Sequence, residues 1–413
     1  MKKYIKNKFY LSYLSISMAV GLGGCMSTQQ KEMQQQLQQI KAQVNNIQQQ
    51  VNKEQQELPY GGGKRTLGMF KVGYDQCYDR AIMPHTSVVD AHNHFQPFGG
   101  NAIPLVEMGG YLRKLGVLFV NVYGIGQTLP IDSGCEYYLD CKDTAVIPSI
   151  RNDFRNASNY LQYEPKGVHL TLSMSFPDLA VPKEIIPQIN LLDREYPGQF
   201  TWMGEVNLVK QALFNNDVVA TPIEIIDQWH DFMRRLREDA KTPGGNIPIA
   251  IHSDFGNNDE PEKYLPLMER VLELYPDNKI VWVHMGLSKE LTNMDPKRHI
   301  EILTRLLDAY PHLMLDLSWR VLWDSYFYDE ETRSQYVAFI NQYSTRFLPG
   351  TDFVALDKKD FDDYKDDVNV TGLINKYIDD RAFRNIALGK NYFDLLDLKD
   401  SSGFNYIAPK ICD

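Results

Sequence analysis

The sequence predicts an α/β fold: a (β/α)8 TIM barrel over residues 66–413, preceded by a separate N-terminal segment. Three observations carry this expectation. Apolar runs with the length and residue types of strands recur eight times between 87 and 351. Amphipathic helical runs lie between them. Five of the eight runs end in histidine, glutamate or aspartate, as they would if their C-terminal ends met at one barrel mouth. An open doubly wound sheet is the competing arrangement. No glycine-rich turn follows the first strand to support it.

The chain has 413 residues and a formal net charge of −10. That charge argues against nucleic acid as a partner, because phosphate binding needs a basic surface. Its 43% apolar and 23% charged residues are those of a globular protein.

The N-terminal segment divides in two. Residues 1–24 carry Lys2, Lys3, Lys6 and Lys8 before an apolar stretch over 11–22, too short for a comfortable transmembrane helix and better suited to a secretory signal. Leu22-Gly23-Gly24-Cys25 resembles the bacterial lipobox. The resemblance implies cleavage before Cys25, lipidation of that cysteine and anchoring in a membrane. An uncleaved anchor is the alternative, and both readings put the rest of the chain outside the cytoplasm. Met26 stands where an aspartate commonly retains lipoproteins in the inner membrane. By resemblance, the destination is therefore the outer membrane, on its periplasmic side or at the surface.

Residues 25–63 form the lipid attachment, a helical stalk and a linker. The stretch 28–57 is glutamine-rich without glycine or proline. Leu37, Val44 and Val51 occupy heptad position a, and Met33, Ile40 and Ile47 position d. The pattern over 33–51 thus makes either an oligomerising coiled coil or a solvated helical spacer, the whole stretch 28–57 being roughly 40 Å long at ~1.5 Å per residue. Pro59-Tyr60-Gly61-Gly62-Gly63 ends it.

The expected strands are 87–91, 117–123, 168–175, 200–206, 247–252, 279–284, 312–317 and 347–351, with helices at 182–196, 222–240, 262–275, 297–309 and 329–343. The first strand ends in His92-Asn93-His94. Alternate residues of a strand share a face, so two imidazoles there can grip one ion from one side. The fourth strand delivers Glu205, the fifth ends in His252, the sixth delivers His284 and the eighth ends in Asp352. Each has a plain structural explanation alone. Their recurrence at the same place on five strands points to a divalent metal centre, since imidazole and carboxylate suit zinc and related ions.

Val89-Asp90-Ala91-His92-Asn93-His94, His252, His284 and Asp352 resemble, in order and spacing, the amidohydrolase superfamily, most nearly its amidohydrolase 2 group, over roughly 85–400. Met203-Gly204-Glu205-Val206 resembles a strand-four motif of the TatD-like branch. Residues 385–396 resemble the closing helix of the group, departing from it at Lys390 and Tyr392. The resemblance implies a hydrolase in which a metal-activated water attacks an ester, lactone, amide or phosphoester of a small-molecule substrate. One ion, zinc foremost, would be held by His92, His94 and Asp352. Glu205 would bridge to a second ion on His252 and His284. With one ion only, His252 joins the ligands and His284 polarises the substrate. Asp352 would move the proton. A metal-dependent decarboxylase and a non-catalytic binding lipoprotein are the alternatives.

Arg320, Lys210 and Trp319 are candidate substrate-binding residues. Arg320 either clamps an anion or pairs with Asp324, and Trp319, Trp323, Tyr326 and Tyr328 either wall a pocket or pack under a loop. With Cys25 lipidated, four cysteines allow three pairings. Cys135 and Cys141 are close in a loop and are expected to pair, leaving Cys77 with Cys412; an oxidising envelope permits both bonds.

Overall fold

A computed structural model describes residues 65–238 and 246–413. The expected signal segment, Cys25 with its lipidation, and the stalk and linker through residue 63 lie outside the described residues. Those described belong to one compact unit. Among them, no helix is long and apolar enough to cross a membrane.

Nine short strands form one parallel sheet: β1 (Val89–His94), β2 (Phe119–Tyr123), β3 (His169–Met174), β4 (Phe200–Val209), β5 (Ile249–Ser253), β6 (Ile280–Trp282), β7 (Leu313–Asp316), β8 (Phe347–Leu348) and β9 (Phe353–Val354). Their order is β8-β7-β6-β5-β4-β3-β2-β1-β9. Of the expected eighth strand, 347–351, only β8 forms, paired with β7, and a further piece beyond it, β9, pairs with β1. The residues between them bond to β1 as well. Ala91 N donates to Pro349 O at 2.9 Å and Asp352 N to His92 O at 2.8 Å. The sheet thereby curls back on its first strand. The break has a local cause. Pro349 has no N–H for a ladder, and Asp352 adopts a left-handed φ of 59°. Gly350 is pressed so close to β1 that a Cβ would lie 2.7 Å from the His92 Cβ.

The helices are α1 (Leu105–Leu115), α2 (Arg151–Gln162), α3 (Ile185–Glu195), α4 (Ile223–Ile226), α5 (His230–Arg237), α6 (Leu265–Leu274), α7 (Pro296–Ala309), α8 (Glu330–Gln342), α9 (Phe361–Thr371), α10 (Asp380–Ile386) and α11 (Lys390–Leu396). Apolar side chains of strands and helices merge in one large core that includes Phe119, Trp202, Trp282 and Phe347. The expected helix 222–240 is broken between α4 and α5 by a turn at 227–229, where the buried Trp229 donates to Leu179 O. The expected closing helix is likewise two, parted at Gly389, whose φ is 83°. Tyr392 of α11 is fully buried, and its hydroxyl meets Thr171 Oγ1 of β3 at 2.6 Å.

Helix α2 was not expected because its buried face is polar. Asn152, Asp153, Asn156 and Ala157 point inward. The Asp153 carboxylate accepts from Ser175 N and Phe176 N, each at 3.0 Å, and Asn156 donates to Tyr123 O. These side chains satisfy backbone groups where β2 and β3 end, so burial here follows hydrogen-bond need rather than hydropathy. Both expected disulfides are present, Cys77–Cys412 and Cys135–Cys141, with Cα–Cα separations of 5.0 and 6.1 Å.

Candidate metal centre

All six expected ligands converge at the C-terminal ends of the strands. His92 and His94 leave β1 on one face, with Nε2 atoms 3.2 Å apart. Asp352 Oδ1 lies 3.3 Å from His92 Nε2 and 3.2 Å from His94 Nε2. Glu205 Oε2 lies 3.8 and 3.3 Å from the same two atoms. Glu205 owes its place to Gly204, whose φ is 120° and where a Cβ would sit 2.4 Å from Ala250 O. Ser173 and Ser175 hydroxyls donate to the Gly204 carbonyl.

The outer nitrogens of both imidazoles are already committed. His94 Nδ1 donates to the Gly124 carbonyl at 2.6 Å, and His92 Nδ1 to Asp316 Oδ2 at 2.8 Å. A carbonyl or a carboxylate can only accept, so each Nδ1 carries the proton and each neutral imidazole turns an Nε2 lone pair inward. Two lone pairs and two carboxylate oxygens therefore face one point. The donor set fits a divalent ion. Ligand separations near 3.3 Å are those around a tetrahedral ion with bonds of ~2.0–2.1 Å. Orientation of each histidine by a carboxylate or carbonyl is the usual support of metal-bound imidazole.

Where no ion stands, protons fill the role. Burial alone would lower the His92 and His94 imidazoles; Asp316, Asp352 and Glu205 outweigh it at His92 and raise it well above the usual value, and Asp352 and Glu205 raise His94. Burial would likewise raise Asp352 and Glu205, but their histidine partners, and Lys210 for Glu205, hold both carboxyls well below the usual range.

His252 and His284 adjoin through Glu205, and ligand atoms of these three also lie within 4.8 Å of one another. His252 Nδ1 meets Glu205 Oε1, while its Nε2 lies 2.9 Å from Asp254 Oδ1. His284 has a left-handed φ of 54°. Its Nδ1 is held by Ser318, through Oγ at 2.9 Å and the carbonyl at 3.2 Å. Its buried Nε2 has no hydrogen-bond partner, and burial pushes the ring down to about 4.

Above the centre opens a cavity of about 730 Å³. His94, His252, His284, Asp352 and Lys210 reach it, Phe98, Tyr137, Tyr138 and Trp319 wall it, and Asp362, Asp363, Asp366 and Asp367 are among the acids near its mouth. The Cys135–Cys141 bridge closes the loop that supplies Tyr137 and Tyr138. Trp319 lies against His284, ring centroids 4.9 Å apart. Arg320 lines the cavity with its guanidinium on Asp324 and Asp366, at 3.0 and 2.8 Å. Lys210 is buried with Nζ 3.2 and 3.3 Å from the two Glu205 oxygens. The other aromatics stand away from the cavity: Tyr326 is buried with its hydroxyl on Leu291 O, Trp323 stacks near Tyr377, and Tyr328 is exposed.

Sequence reasoning missed Asp316. It ends β7 as His252 ends the fifth run, and that position was its signal. Besides His92 Nδ1, it accepts the His284 backbone N–H at 2.9 Å and the Ser318 N–H at 3.0 Å. Asp90, buried beneath the centre, was also not singled out. It accepts from Thr351 N and Oγ1, Asn93 Nδ2 and Tyr364 OH, at 2.7–3.0 Å.

Residues 240–387 match the sequence model of the family described as Amidohydrolase. That stretch contains His252, His284, Asp316 and Asp352. No curated protein matches the chain. Among solved structures, an amidohydrolase from Burkholderia multivorans with bound zinc is 12% identical, over 75% of this chain and 99% of its own, at a TM-score of 0.46. A dihydroorotase from Campylobacter jejuni is 12% identical, over 76% and 85%, at 0.44. A putative 2-pyrone-4,6-dicarboxylic acid hydrolase from Pseudomonas putida is 14% identical, over 72% and 95%, at 0.41.

Proposed function

We propose that the chain is an amidohydrolase-type enzyme, a metal-dependent hydrolase that cleaves an ester, lactone, amide or phosphoester of a small molecule. One observation carries this reading: the His92 and His94 Nε2 lone pairs, Asp352 Oδ1 and Glu205 Oε2 face one another at 3.2–3.8 Å, with both outer imidazole nitrogens already bonded. These four residues would hold the ion. A divalent ion bound there supplies Lewis acidity that lowers the pKa of a water toward ~7.

The chain's own groups provide the rest. Asp352 Oδ1 faces the imidazoles, while Oδ2 looks toward His284 Nε2 at 3.9 Å. Held ionised, this carboxylate is placed to take a proton from water and return it to a leaving group. His284 stays neutral at ordinary pH and offers its Nε2 to whatever occupies the cavity floor. A cavity of about 730 Å³ suits a drug-sized or smaller substrate rather than a polymer segment.

An activity panel of these four bond classes, run with zinc and with manganese, tests the reading. The expected result is turnover that chelation abolishes and Asp352→Asn suppresses. A metal-loaded protein inert toward every class contradicts it, and carbon dioxide release from a carboxylated aromatic moves the assignment to decarboxylation.

We also read the enzyme as an envelope lipoprotein, anchored through Cys25. The two disulfides support that setting, since such bonds persist in oxidising compartments. Lipid label absent from the native chain contradicts the anchor. An unchanged assembly mass after deletion of residues 28–57 contradicts oligomerisation through 33–51.

A further inference from the structure

We propose that Lys210 is a built-in counter-cation that fills the second cation position and holds the centre to one divalent ion. The inference rests on the metal-centre reading and decides what that reading leaves open, the number of ions.

The Glu205 carboxylate carries it. A carboxylate offers roughly four acceptor sites, two on each oxygen. Oε1 meets His252 Nδ1 and Lys210 Nζ, and Oε2 meets Lys210 Nζ and faces His94 Nε2. Once Oε2 serves an ion between His92 and His94, a second ion would have to bind at Oε1, where Lys210 Nζ already sits at 3.2 Å. Lys210 is only 8% exposed, with its charge neutralised by the carboxylate it touches. A divalent ion on Glu205, His252 and His284 would displace the ammonium from Oε1 and leave a buried, unpaired charge beside itself. Lys210 follows directly on β4, which delivers Glu205, so one strand end supplies both the carboxylate and its permanent cation.

The test is the metal content of the full chain, loaded with zinc, desalted and measured by elemental mass spectrometry, for the native protein and Lys210→Met. The expected values are about one zinc per native chain and about two per variant, with the variant's circular dichroism unchanged. Two zinc ions in the native chain overturn the proposal, as does a folded variant that stays at one. No zinc in the native chain overturns the metal-centre reading itself, a result distinct from either. Anomalous scattering from zinc-soaked native crystals decides the matter even if the variant does not fold. One peak is expected, and a second between Glu205, His252 and His284 overturns the proposal.

Discussion

Asp316 Oδ2 receives the Nδ1 proton of His92 at 2.8 Å, while its other oxygen takes the His284 backbone N–H at 2.9 Å. One buried carboxylate thus fixes the tautomer of a β1 histidine and the strained backbone of the histidine after β6. Asp316→Asn keeps the shape but removes the charge. The expected outcome is a 10–100-fold loss of zinc affinity, on the order seen when a ligand's outer partner is lost, with the fold retained. Competition against a chromophoric chelator measures it; unchanged affinity would show that Asp316 does not orient His92.

Zinc affinity should fall with acidification. Without an ion, the His92 and His94 imidazoles are raised above their ordinary value. A raised folded-state value stabilises the ion-free protein below about 6.5 and ceases to do so as pH climbs through the folded values. An ion must displace those protons, so binding releases them. We expect affinity at least about tenfold weaker at pH 6 than at pH 8. Calorimetry in buffers of different ionisation enthalpy should count protons released near pH 7; none released would contradict the assigned ligands.

Asp90 ties β1 to the turn that presents Asp352. It takes both the N–H and the hydroxyl of Thr351 and the hydroxyl of the buried Tyr364. Asp90→Ala strands those donors, at a cost of about 2–4 kcal/mol. Tyr364→Phe removes one bond, at about 1 kcal/mol. Urea denaturation with the ion absent separates the two, and equal small effects would dismiss Asp90 as the latch.

Cys77–Cys412 joins residues 335 apart, linking the entry of the barrel to its last residues. Cys412→Ser should lower stability by about 2–4 kcal/mol, read as a lower urea midpoint under non-reducing conditions. The Cys135–Cys141 bridge closes a loop with a separation of only 6. Its loss should move the midpoint less, since the entropy removed from the unfolded chain grows with loop length.

Strand positions were legible because a sheet packed on both faces needs apolar β-branched runs, and all eight runs contain a strand or part of one. The ligand set was legible for a related reason: His92, His94, Glu205, His252, His284 and Asp352 break apolar runs at one end. Asp316 breaks a run in the same way. It went unread because its partner is a ligand's far nitrogen, a relationship visible only in three dimensions. The sequence makes Lys210 a substrate-clamp candidate; that its ammonium folds back five residues onto Glu205 is visible only in three dimensions. Helix α2 was hidden by its polar inward face, and the early end of the eighth strand by a turn that only contact with β1 explains.

The metal content of the purified chain beside a His92→Ala, His94→Ala double variant tests the central claim most directly. The account predicts at least about one divalent ion per native chain and none retained by the variant at unchanged fold. A native chain that holds no ion after loading, or a variant that keeps it, would contradict the account.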